Sequence, residues 1–273
     1  MAKRFEEKVV WITGGGSGIG RELALAFARE GAAVAVSGRR ADRLEEVVTE
    51  LRGMGANALA APCDVTQEAS LRDAVALVVA ELGGLDVAVA NAGFSVNGRI
   101  VDLTADDWRR QFDTNVVGAA LTARCAVEAL QQRGGRLAIV GSVAGVITAP
   151  GSGAYSASKA AVRAMAQALE LELAPRGVSC TLLQPGFVES EIGQVDNEGR
   201  FHADRRDPRA QKLMWRASDA ARVMVDAIAR REREYTFTAH GKAVAFLGMH
   251  FPGVVHEVLK RTPKLARVRV NER

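Results

Sequence analysis

The chain has 273 residues and a formal net charge of +4, with 48% of its residues hydrophobic and 25% charged. No run of about 18 apolar residues is present, which excludes a membrane-spanning helix, and three widely spaced cysteines exclude a disulfide framework and a zinc site. The first residues lack the apolar core of a signal peptide and the free thiols favour a reducing compartment, so we expect a cytoplasmic protein without a bound metal.

Short apolar segments alternate with helical patterns along the chain. Strands are predicted at Val9–Ile12, Ala33–Ser37, Ala56–Ala61, Leu85–Ala90, Gly135–Val140, Ser179–Gln184 and Tyr235–Thr238. Helices are predicted at Ile19–Glu30, Asp42–Met54, Gln67–Leu82, Ala105–Gln132, Tyr155–Ala174 and Ser218–Arg230. Such alternation is typical of an α/β fold, here a mostly seven-stranded parallel sheet with helices on both faces. We assign residues 1–238 to a single domain.

Two segments fall outside this alternation. Residues 191–212 are polar and charged and contain Asp207-Pro208, which predicts a long substrate loop or lid. Residues 239–273 form a C-terminal extension, in which an apolar run from Val244 to Phe251 is broken by Pro252.

A glycine-rich loop, Thr13 to Gly20, follows the first strand and opens the first helix. Glycines let the backbone turn sharply and approach a pyrophosphate, and the helix N-terminus presents free N–H groups there. This context indicates a dinucleotide site, and the alternative is a tight turn without a ligand. The loop residues expected to contact the cofactor are Gly14, Gly16, Ser17, Gly18, Ile19 and Gly20.

The second strand ends at Ser37 and is followed by Gly38, Arg39 and Arg40. An NAD enzyme usually carries Asp or Glu near this position to bind the ribose 2′-hydroxyl. The arginines favour NADP(H) instead, because a guanidinium binds a 2′-phosphate through paired hydrogen bonds. The alternative is that Arg40 only begins an exposed helix. After the third strand, Asp64 is expected either to bind the adenine amino group or to form a turn.

Tyr155 and Lys159 are four residues apart, which places them on one face of a helix. A neighbouring cation favours the phenolate, so we expect Lys159 to lower the pKa of Tyr155 from about 10 toward neutrality. Ser142, after the apolar run of the fifth strand, is a third candidate. Taken singly, each feature has a structural alternative. The Tyr155–Lys159 pair could be a packing or surface contact, and Ser142 could be a cap or turn residue.

In this order the motifs resemble the short-chain dehydrogenase/reductase family over roughly residues 6–238. The resemblance also rests on Asp64-Val65, Asn91-Ala92-Gly93, Asn115 and Pro185-Gly186. It implies a doubly wound Rossmann fold and pyridine-nucleotide chemistry.

The resemblance also implies a role for each matching residue. Ser142 would bind the substrate carbonyl and Tyr155 would exchange a proton with it. Lys159 would hold the nicotinamide ribose, and Asn115 would bind a water in a proton relay. The remaining cofactor contacts would be Val65, Asn91, Ala92, Gly93, Pro185, Gly186 and Val188. Members of the family frequently carry a threonine shortly after the Pro-Gly motif, and the corresponding residue in this chain is Ser190.

The substrate is expected to be a hydrophobic ketone or 3-oxoacyl group, because the predicted pocket residues are mostly apolar. They are Phe94–Val96, Val143–Thr148, Phe187 and Ile192. The long tail is similar to that of family members that act on lipid-like ketones, including 3-ketosphinganine-type reductases. A hydroxysteroid or xenobiotic alcohol dehydrogenase is an alternative. A non-catalytic NADP(H)-sensing protein is a second alternative, from a different class.

Charge is distributed unevenly along the chain. Residues 200–273 contain 17 Lys/Arg and 8 Asp/Glu, so the tail of an otherwise acidic chain is basic. We expect residues 240–273, with Lys260, Arg261, Lys264, Arg267 and Arg269, either to contact an anionic membrane or to pack on the domain or at a subunit interface. No specific nucleic-acid binding is expected. Small residues on the helix from Tyr155 favour a homodimer or homotetramer, and the four histidines are interpreted as surface or loop residues.

Overall fold

A computed structural model of the protein describes residues 3–207, 209 and 213–261. Seven parallel strands form one sheet in the order β3-β2-β1-β4-β5-β6-β7. This arrangement confirms the predicted α/β fold with a doubly wound sheet. The strands are β1 (Val9–Thr13), β2 (Ala33–Ser37), β3 (Ala58–Ala60), β4 (Val87–Ala90), β5 (Arg136–Val140), β6 (Ser179–Gln184) and β7 (Glu234–Thr236).

Helices cover both faces of the sheet. They are α1 (Gly18–Arg29), α2 (Ala41–Gly53), α3 (Glu68–Leu82), α4 (Ala105–Phe112), α5 (Gly118–Gln131), α6 (Gly153–Leu173), α7 (Ala217–Ala229), α8 (Ala239–His250) and α9 (Pro252–Arg261). Successive side chains of a strand point to opposite faces of the sheet, and a separate hydrophobic core lies on each face. Val10 and Ile12 of β1 belong to the core under α1, α2 and α7. Val9 and Trp11 belong to the core under α3, α5 and α6.

The long helix predicted at Ala105–Gln132 is interrupted. Thr104 caps α4 by accepting a hydrogen bond from the Asp107 amide through its hydroxyl, and the Thr104 amide donates one to the Asp107 carboxylate. A wide π turn, Asp113–Val117, then separates α4 from α5. It turns the amide of Asn115 inward, where the side chain is only 2% exposed. Such turns occur frequently at functional sites.

Strand order reverses between β1 and β4, and this position determines where a ligand fits. In a doubly wound sheet, the crevice beyond the carboxyl ends of the strands at the reversal is the usual binding site. The glycine-rich loop follows β1, Asn91 follows β4, Ser142 follows β5 and Pro185 follows β6. Four of the predicted motifs therefore meet at one edge of the sheet.

The described part of the C-terminal extension, residues 239–261, forms two helices, and the second begins at Pro252, where the apolar run is predicted to break. Thr238 begins α8 by accepting a hydrogen bond from the Gly241 amide at 3.0 Å. The extension leaves large apolar side chains exposed, and α9 has no buried residue. These exposed residues are Phe246, Leu247, Met249, Phe251, Val254 and Val258. Of the basic residues predicted to contact a membrane, Lys264, Arg267 and Arg269 lie outside the described residues.

Candidate active site

The glycine-rich loop after β1 adopts a backbone that glycine favours. Gly14 has a φ of +65° and Gly18 a φ of +51°, both in the left-handed region. A Cβ atom on Gly14 would lie 2.8 Å from the Cα atom of Ala92. The loop therefore lies directly against the segment that follows β4.

Side chains from β1 and β4 hold this loop in place. The hydroxyl of Thr13 accepts hydrogen bonds from the amides of Asn91, at 3.1 Å, and Ala92, at 3.3 Å. The side-chain amide of Asn91 donates to the carbonyls of Thr13 and Gly14 at 3.0 and 3.1 Å. Thr13 and Asn91 thus position the backbone of the loop, and Thr13 is a site residue that the sequence analysis left out.

The start of α1 fits a pyrophosphate. Ser17 is the N-cap residue and its side chain makes no capping hydrogen bond, while the first turn contains no acidic side chain. Helix N-terminal amides and the helix dipole favour an anion at such a position. A Cβ atom on Gly16 would lie 3.3 Å from the Arg43 side chain, and one on Gly18 would lie 3.1 Å from the Ser190 side chain, so these glycines let the loop approach its neighbours closely. The residues present are therefore consistent with a dinucleotide in this groove.

The two arginines beyond β2 lie at different places. Arg40 is the N-cap residue of α2, and its guanidinium is 3.2 Å from the Ser17 hydroxyl and 2.7 Å from the Glu191 carboxylate. Arg39 instead donates to the carbonyl of Gly199 at 3.2 Å. Both side chains are exposed. Arg40 is thus the nearer of the two to the glycine-rich loop, and the segment beyond residue 190 contacts both.

Asp64 and Val65 follow β3 and serve the local structure. A carboxylate oxygen of Asp64 accepts hydrogen bonds from the amide and the hydroxyl of Thr66 at 2.9 and 2.8 Å, which is the turn role that the sequence left open. Val65 is 7% exposed, and a Cβ on Gly118 would lie 2.7 Å from its side chain. Val65 therefore packs on α5.

Ser142, Tyr155 and Lys159 are brought together by β5 and α6. Ser142 begins a short 3-10 turn, Val143–Gly145, and a Cβ on Gly145 would lie 2.7 Å from the Lys159 carbonyl. This close approach sets the turn directly on the first turns of α6. The Ser142 hydroxyl lies close enough to the phenol of Tyr155 to lower its pKa. A polar group that approaches both hydroxyls would therefore meet two donors at once.

The pKa of Tyr155 moves in the opposite direction to the expectation. Burial raises this pKa, against the lowering influence of the Ser142 hydroxyl and the positive charge of Arg209. The Lys159 Nζ atom donates to the Val140 carbonyl at 2.8 Å and lies 5.8 Å from the centre of the phenol ring. Burial also lowers the pKa of Lys159 to about 8. The predicted depression of the Tyr155 pKa is therefore wrong for this geometry.

Asn115 is fully hydrogen-bonded in the π turn. Its Oδ1 atom accepts from the Phe94 amide at 3.1 Å, and its Nδ2 atom donates to the Phe94 carbonyl and the Ser158 hydroxyl at 3.0 and 3.1 Å. A Cβ on Gly93 would lie 3.1 Å from Asn115 Oδ1 and 3.8 Å from Lys159 Nζ. Asn115 therefore lies beside the lysine, with its side chain committed to protein partners.

The segment after β6 closes the site on the other side. The Pro185 carbonyl accepts from the Val143 amide at 3.0 Å, which joins this segment to the Ser142 turn. Val188 is buried, whereas Phe187 is 38% exposed. The amide of Phe187 donates to Nε2 of His240 at 3.1 Å. The interpretation of His240 as a surface or loop residue is therefore incomplete, and no motif in the sequence links residues 53 positions apart.

Residues 191–207 lie over the groove and form a folded segment. Asn97 and Asn197 exchange hydrogen bonds at 2.9 and 3.0 Å, which ties the segment to the loop after β4. Arg209 pairs with Asp207 at 2.7 Å and donates to the carbonyls of Val188 and Ser190. A predicted pocket residue, Val96, is fully buried in a small core cluster and is not a wall of an open pocket.

Across the part of the chain that the structure describes, no group of three or more His, Cys, Asp or Glu side chains is arranged to hold a metal ion. Within the same residues, no helix combines the length and the hydropathy needed to span a bilayer.

Sequence comparisons place the chain among known oxidoreductases. A family model described as short chain dehydrogenase matches residues 8–200. The chain is 33% identical over 230 residues to an uncharacterized oxidoreductase of Staphylococcus aureus strain N315, which covers 82% of this chain and 97% of that protein. It is 34% identical over 190 residues to a 3beta-hydroxysteroid dehydrogenase of Mediterraneibacter gnavus, which covers 69% of each.

Solved structures of the same fold were crystallised with two different cofactors. A short chain dehydrogenase/reductase from Burkholderia phymatum in complex with NAD has a TM-score of 0.81 at 26% identity, covering 93% of this chain and 96% of that chain. A short chain dehydrogenase from Burkholderia cenocepacia J2315 in complex with NADP has a TM-score of 0.76 at 30% identity, covering 88% of this chain and 99% of that chain.

Proposed function

The chain belongs to the short-chain dehydrogenase family, an oxidoreductase family whose fold binds a nicotinamide cofactor, and on that premise we propose that it is an NADPH-dependent reductase of a hydrophobic ketone. The observation that carries this proposal is that the Ser142 turn packs on the start of α6, which bears Tyr155 and Lys159, at the edge of the sheet that also holds the glycine-rich loop. The same residues would catalyse the reverse oxidation of a secondary alcohol.

The two hydroxyls act on the oxygen of the substrate. A nicotinamide cofactor held in the groove would provide the hydride for the carbonyl carbon. Negative charge then develops on the carbonyl oxygen, where hydrogen bonds from Ser142 and Tyr155 are strongest and therefore accelerate the reaction. Tyr155 gives its proton to that oxygen, and its raised pKa keeps the phenol protonated before the reaction.

Tyr155 must then regain a proton. Lys159 lies between the phenol and the end of β5, and its pKa of about 8 lets it donate or accept a proton near neutral pH. Because the Asn115 side chain is committed to Phe94 and Ser158, we assign the binding of a relay water to the main chain of Asn115. Lys159 also holds the ribose hydroxyls in this proposal.

NADP(H) is the proposed cofactor. Arg40 lies beside Ser17 at the end of the groove, where it pairs with Glu191, and position 38 carries glycine instead of the acidic residue that usually binds a ribose 2′-hydroxyl. The cofactor contacts are those expected from the sequence, with Thr13 added as the residue that positions the loop.

A hydrophobic ketone, including a 3-oxoacyl or 3-ketosphinganine-like compound, is the proposed substrate. Val146 and Ile147 are half-buried beyond Ser142, and Phe187 is partly exposed on the opposite side. A hydroxysteroid is the second candidate, because one relative is a 3beta-hydroxysteroid dehydrogenase.

The test is a panel of lipid-like, steroid and xenobiotic ketones, assayed by loss of NADPH absorbance with Tyr155→Phe as the matched control. We expect turnover of at least one apolar ketone by the wild type only. If no ketone is turned over while NADPH binds, the protein is a non-catalytic NADP(H)-sensing protein instead.

A second copy of the chain is the proposed partner on the outer side of α5 and α6. A groove of about 570 Å³ between these helices is lined by Ala123, Val127, Met165 and Leu169, with Arg124 and Glu172 at its edges. Leu171 on α6 is 71% exposed. Light scattering distinguishes a homodimer or homotetramer from a monomer, and Leu171→Glu is expected to shift the equilibrium toward the monomer.

We propose a cytoplasmic location, with α8 and α9 resting on an anionic membrane. Their exposed apolar side chains occur in a region, residues 239–273, that carries seven Lys/Arg and two Asp/Glu. Sedimentation with vesicles containing anionic lipid, but not with neutral vesicles, is the expected result. If the protein sediments with neither kind of vesicle, the result favours packing of these helices on a second copy.

A further inference from the structure

Helix α8 begins against the segment that borders the reacting groups. His240, in the first turn of α8, is half-buried, and its Nε2 atom accepts the amide hydrogen of Phe187 at 3.1 Å. The imidazole also stacks on the Phe187 ring, with 5.6 Å between the ring centres and 23° between the planes. One side chain therefore fixes both the backbone and the ring of Phe187.

Gly186 makes this approach possible. A Cβ atom on Gly186 would lie 2.6 Å from Nε2 of His240 and would also overlap the hydroxyl of Thr238. Thr238 is fully buried and its hydroxyl caps α8. The start of α8 thus fits closely against a position where only glycine leaves enough space.

The same helix also lies on the turn that follows Ser142. A Cβ on Gly241 would lie 3.2 Å from a methyl group of Val143, and one on Gly248 would lie 3.3 Å from a methyl group of Val146. The Val143 amide in turn donates to the Pro185 carbonyl. Helix α8 therefore contacts both segments that flank the candidate active site, the one after β5 and the one after β6.

We propose that His240 is a positioning residue, which holds Phe187 and the Pro185–Val188 segment in the geometry that the reaction needs. The inference rests on the proposed function, because it assigns that segment to the space beside the nicotinamide and the ketone. An Nε2 atom that accepts a hydrogen bond carries no proton, so the imidazole is neutral in this contact. Small displacements of positioning groups are costly, since about 1 Å can reduce a rate about 100-fold.

The test compares three variants of the full chain. His240→Ala removes the acceptor and the stacked ring, whereas His240→Gln keeps an acceptor of similar reach. His256→Ala on α9 is the matched control, because that side chain is exposed. We expect kcat/KM for the best ketone to fall about 10- to 100-fold in His240→Ala, to recover to within about threefold of the wild type in His240→Gln, and to stay unchanged in His256→Ala.

A second measurement needs no substrate. The fluorescence of bound NADPH reports the surroundings of the nicotinamide, and we expect His240→Ala to change its intensity or wavelength while the Kd for NADPH changes less than about threefold. The small change in Kd is expected because α8 packs mainly on the Ser142 turn, the Pro185–Val188 segment and α9 rather than on the glycine-rich loop.

The two readouts separate the possible failures. If the wild type turns over no ketone, the proposed function fails, and the fluorescence still decides the role of His240. Wild-type fluorescence in His240→Ala would overturn the positioning role, as would equal effects of His240→Ala and His256→Ala. Should His240→Ala not fold, Phe187→Leu, which keeps the backbone donor and removes the stacked ring, is expected to show the same fluorescence change to a smaller extent.

Discussion

Two regions of the candidate site are built from different kinds of contact. On the cofactor side, defined as the glycine-rich loop with the segment Asn91–Gly93, the backbone is held by Thr13 and Asn91 from the two strands that flank the crevice. On the substrate side, defined as Pro185–Val188 with α8, Phe187 is held by His240 across 53 residues of sequence. Both sides join distant parts of the chain, since Thr13 and Asn91 are 78 positions apart. The difference is that Thr13 and Asn91 belong to short sequence motifs, whereas His240 belongs to none.

The difference also appears in how the two sides treat charge. Arg39 and Arg40, next to the cofactor side, are exposed. Lys159, between the two sides, is only 6% exposed, and burial lowers its pKa. Exposed cations attract an anionic cofactor at little cost, while a buried amine is unfavourable in its charged form. The following predictions test this contrast, from the largest expected effect to the smallest.

The largest effect is expected from Lys159→Met, measured as the pH dependence of the free energy of unfolding. The Lys159 pKa is about 8 in the folded protein and 10.5 in the unfolded chain, so between these pH values only the unfolded chain keeps the proton. The wild type therefore gains stability relative to the variant as the pH rises from about 8 to 10.5, by up to about 3 kcal/mol. Urea unfolding at both ends of this range measures the gain, and parallel curves for the two proteins would contradict it.

Gly14→Ala is expected to damage the cofactor side alone. A Cβ at a φ of +65°, 2.8 Å from the Ala92 backbone, forces the loop to move, so we expect the Kd for NADPH to rise at least about 30-fold, or about 2 kcal/mol. Gly53→Ala is the matched control, because nothing lies within 4 Å of its Cβ position. Titration calorimetry gives both Kd values, and equal binding by the two variants would refute the role of the loop.

Arg40→Ala is expected to separate the two cofactors. Loss of a guanidinium beside Ser17 should raise the Kd for NADPH about 10-fold and that for NADH less than about threefold. Arg39→Ala serves as the comparison, since Arg39 contacts Gly199, and we expect a smaller change. Parallel losses of NADPH and NADH binding in Arg40→Ala would refute 2′-phosphate recognition by that residue.

Glu191→Gln should produce the smallest effect, and in the opposite direction. Glu191 pairs with Arg40 at 2.7 Å, and both groups are partly exposed, so the ion pair competes only weakly with a 2′-phosphate. We expect the Kd for NADPH to fall about threefold with no change for NADH. A weaker NADPH complex would show that Glu191 orients Arg40 rather than competing for it.

The sequence predicted the cofactor side well because its signals are local. The predicted bounds of β2 and β6 match the structure, and α1 begins one residue before its predicted start. Apolar strands and glycine-rich turns produce short-range patterns that can be recognised in the sequence. The family resemblance placed Ser142, Tyr155 and Lys159, which the fold then brought together.

The substrate side could not be predicted in the same way. The π turn at Asn115 has the helical pattern of its neighbours, so nothing in the sequence marked the interruption. The contact of His240 with Phe187, and those of residues 191–207 with Arg39 and Arg40, depend on tertiary packing. The raised pKa of Tyr155 was missed because burial raises it, and helical spacing gives the distance between two side chains but not their burial.

The most direct test of the central claim, that Tyr155 gives a proton to a ketone, is a comparison of wild type and Tyr155→Phe with NADPH already bound. With the best ketone from the panel, NADPH oxidation in the variant should be at least about 10³-fold slower, while the Kd for NADPH stays within about threefold of the wild type. Oxidation at a rate within tenfold of the wild type would contradict the assignment of Tyr155 as the proton donor.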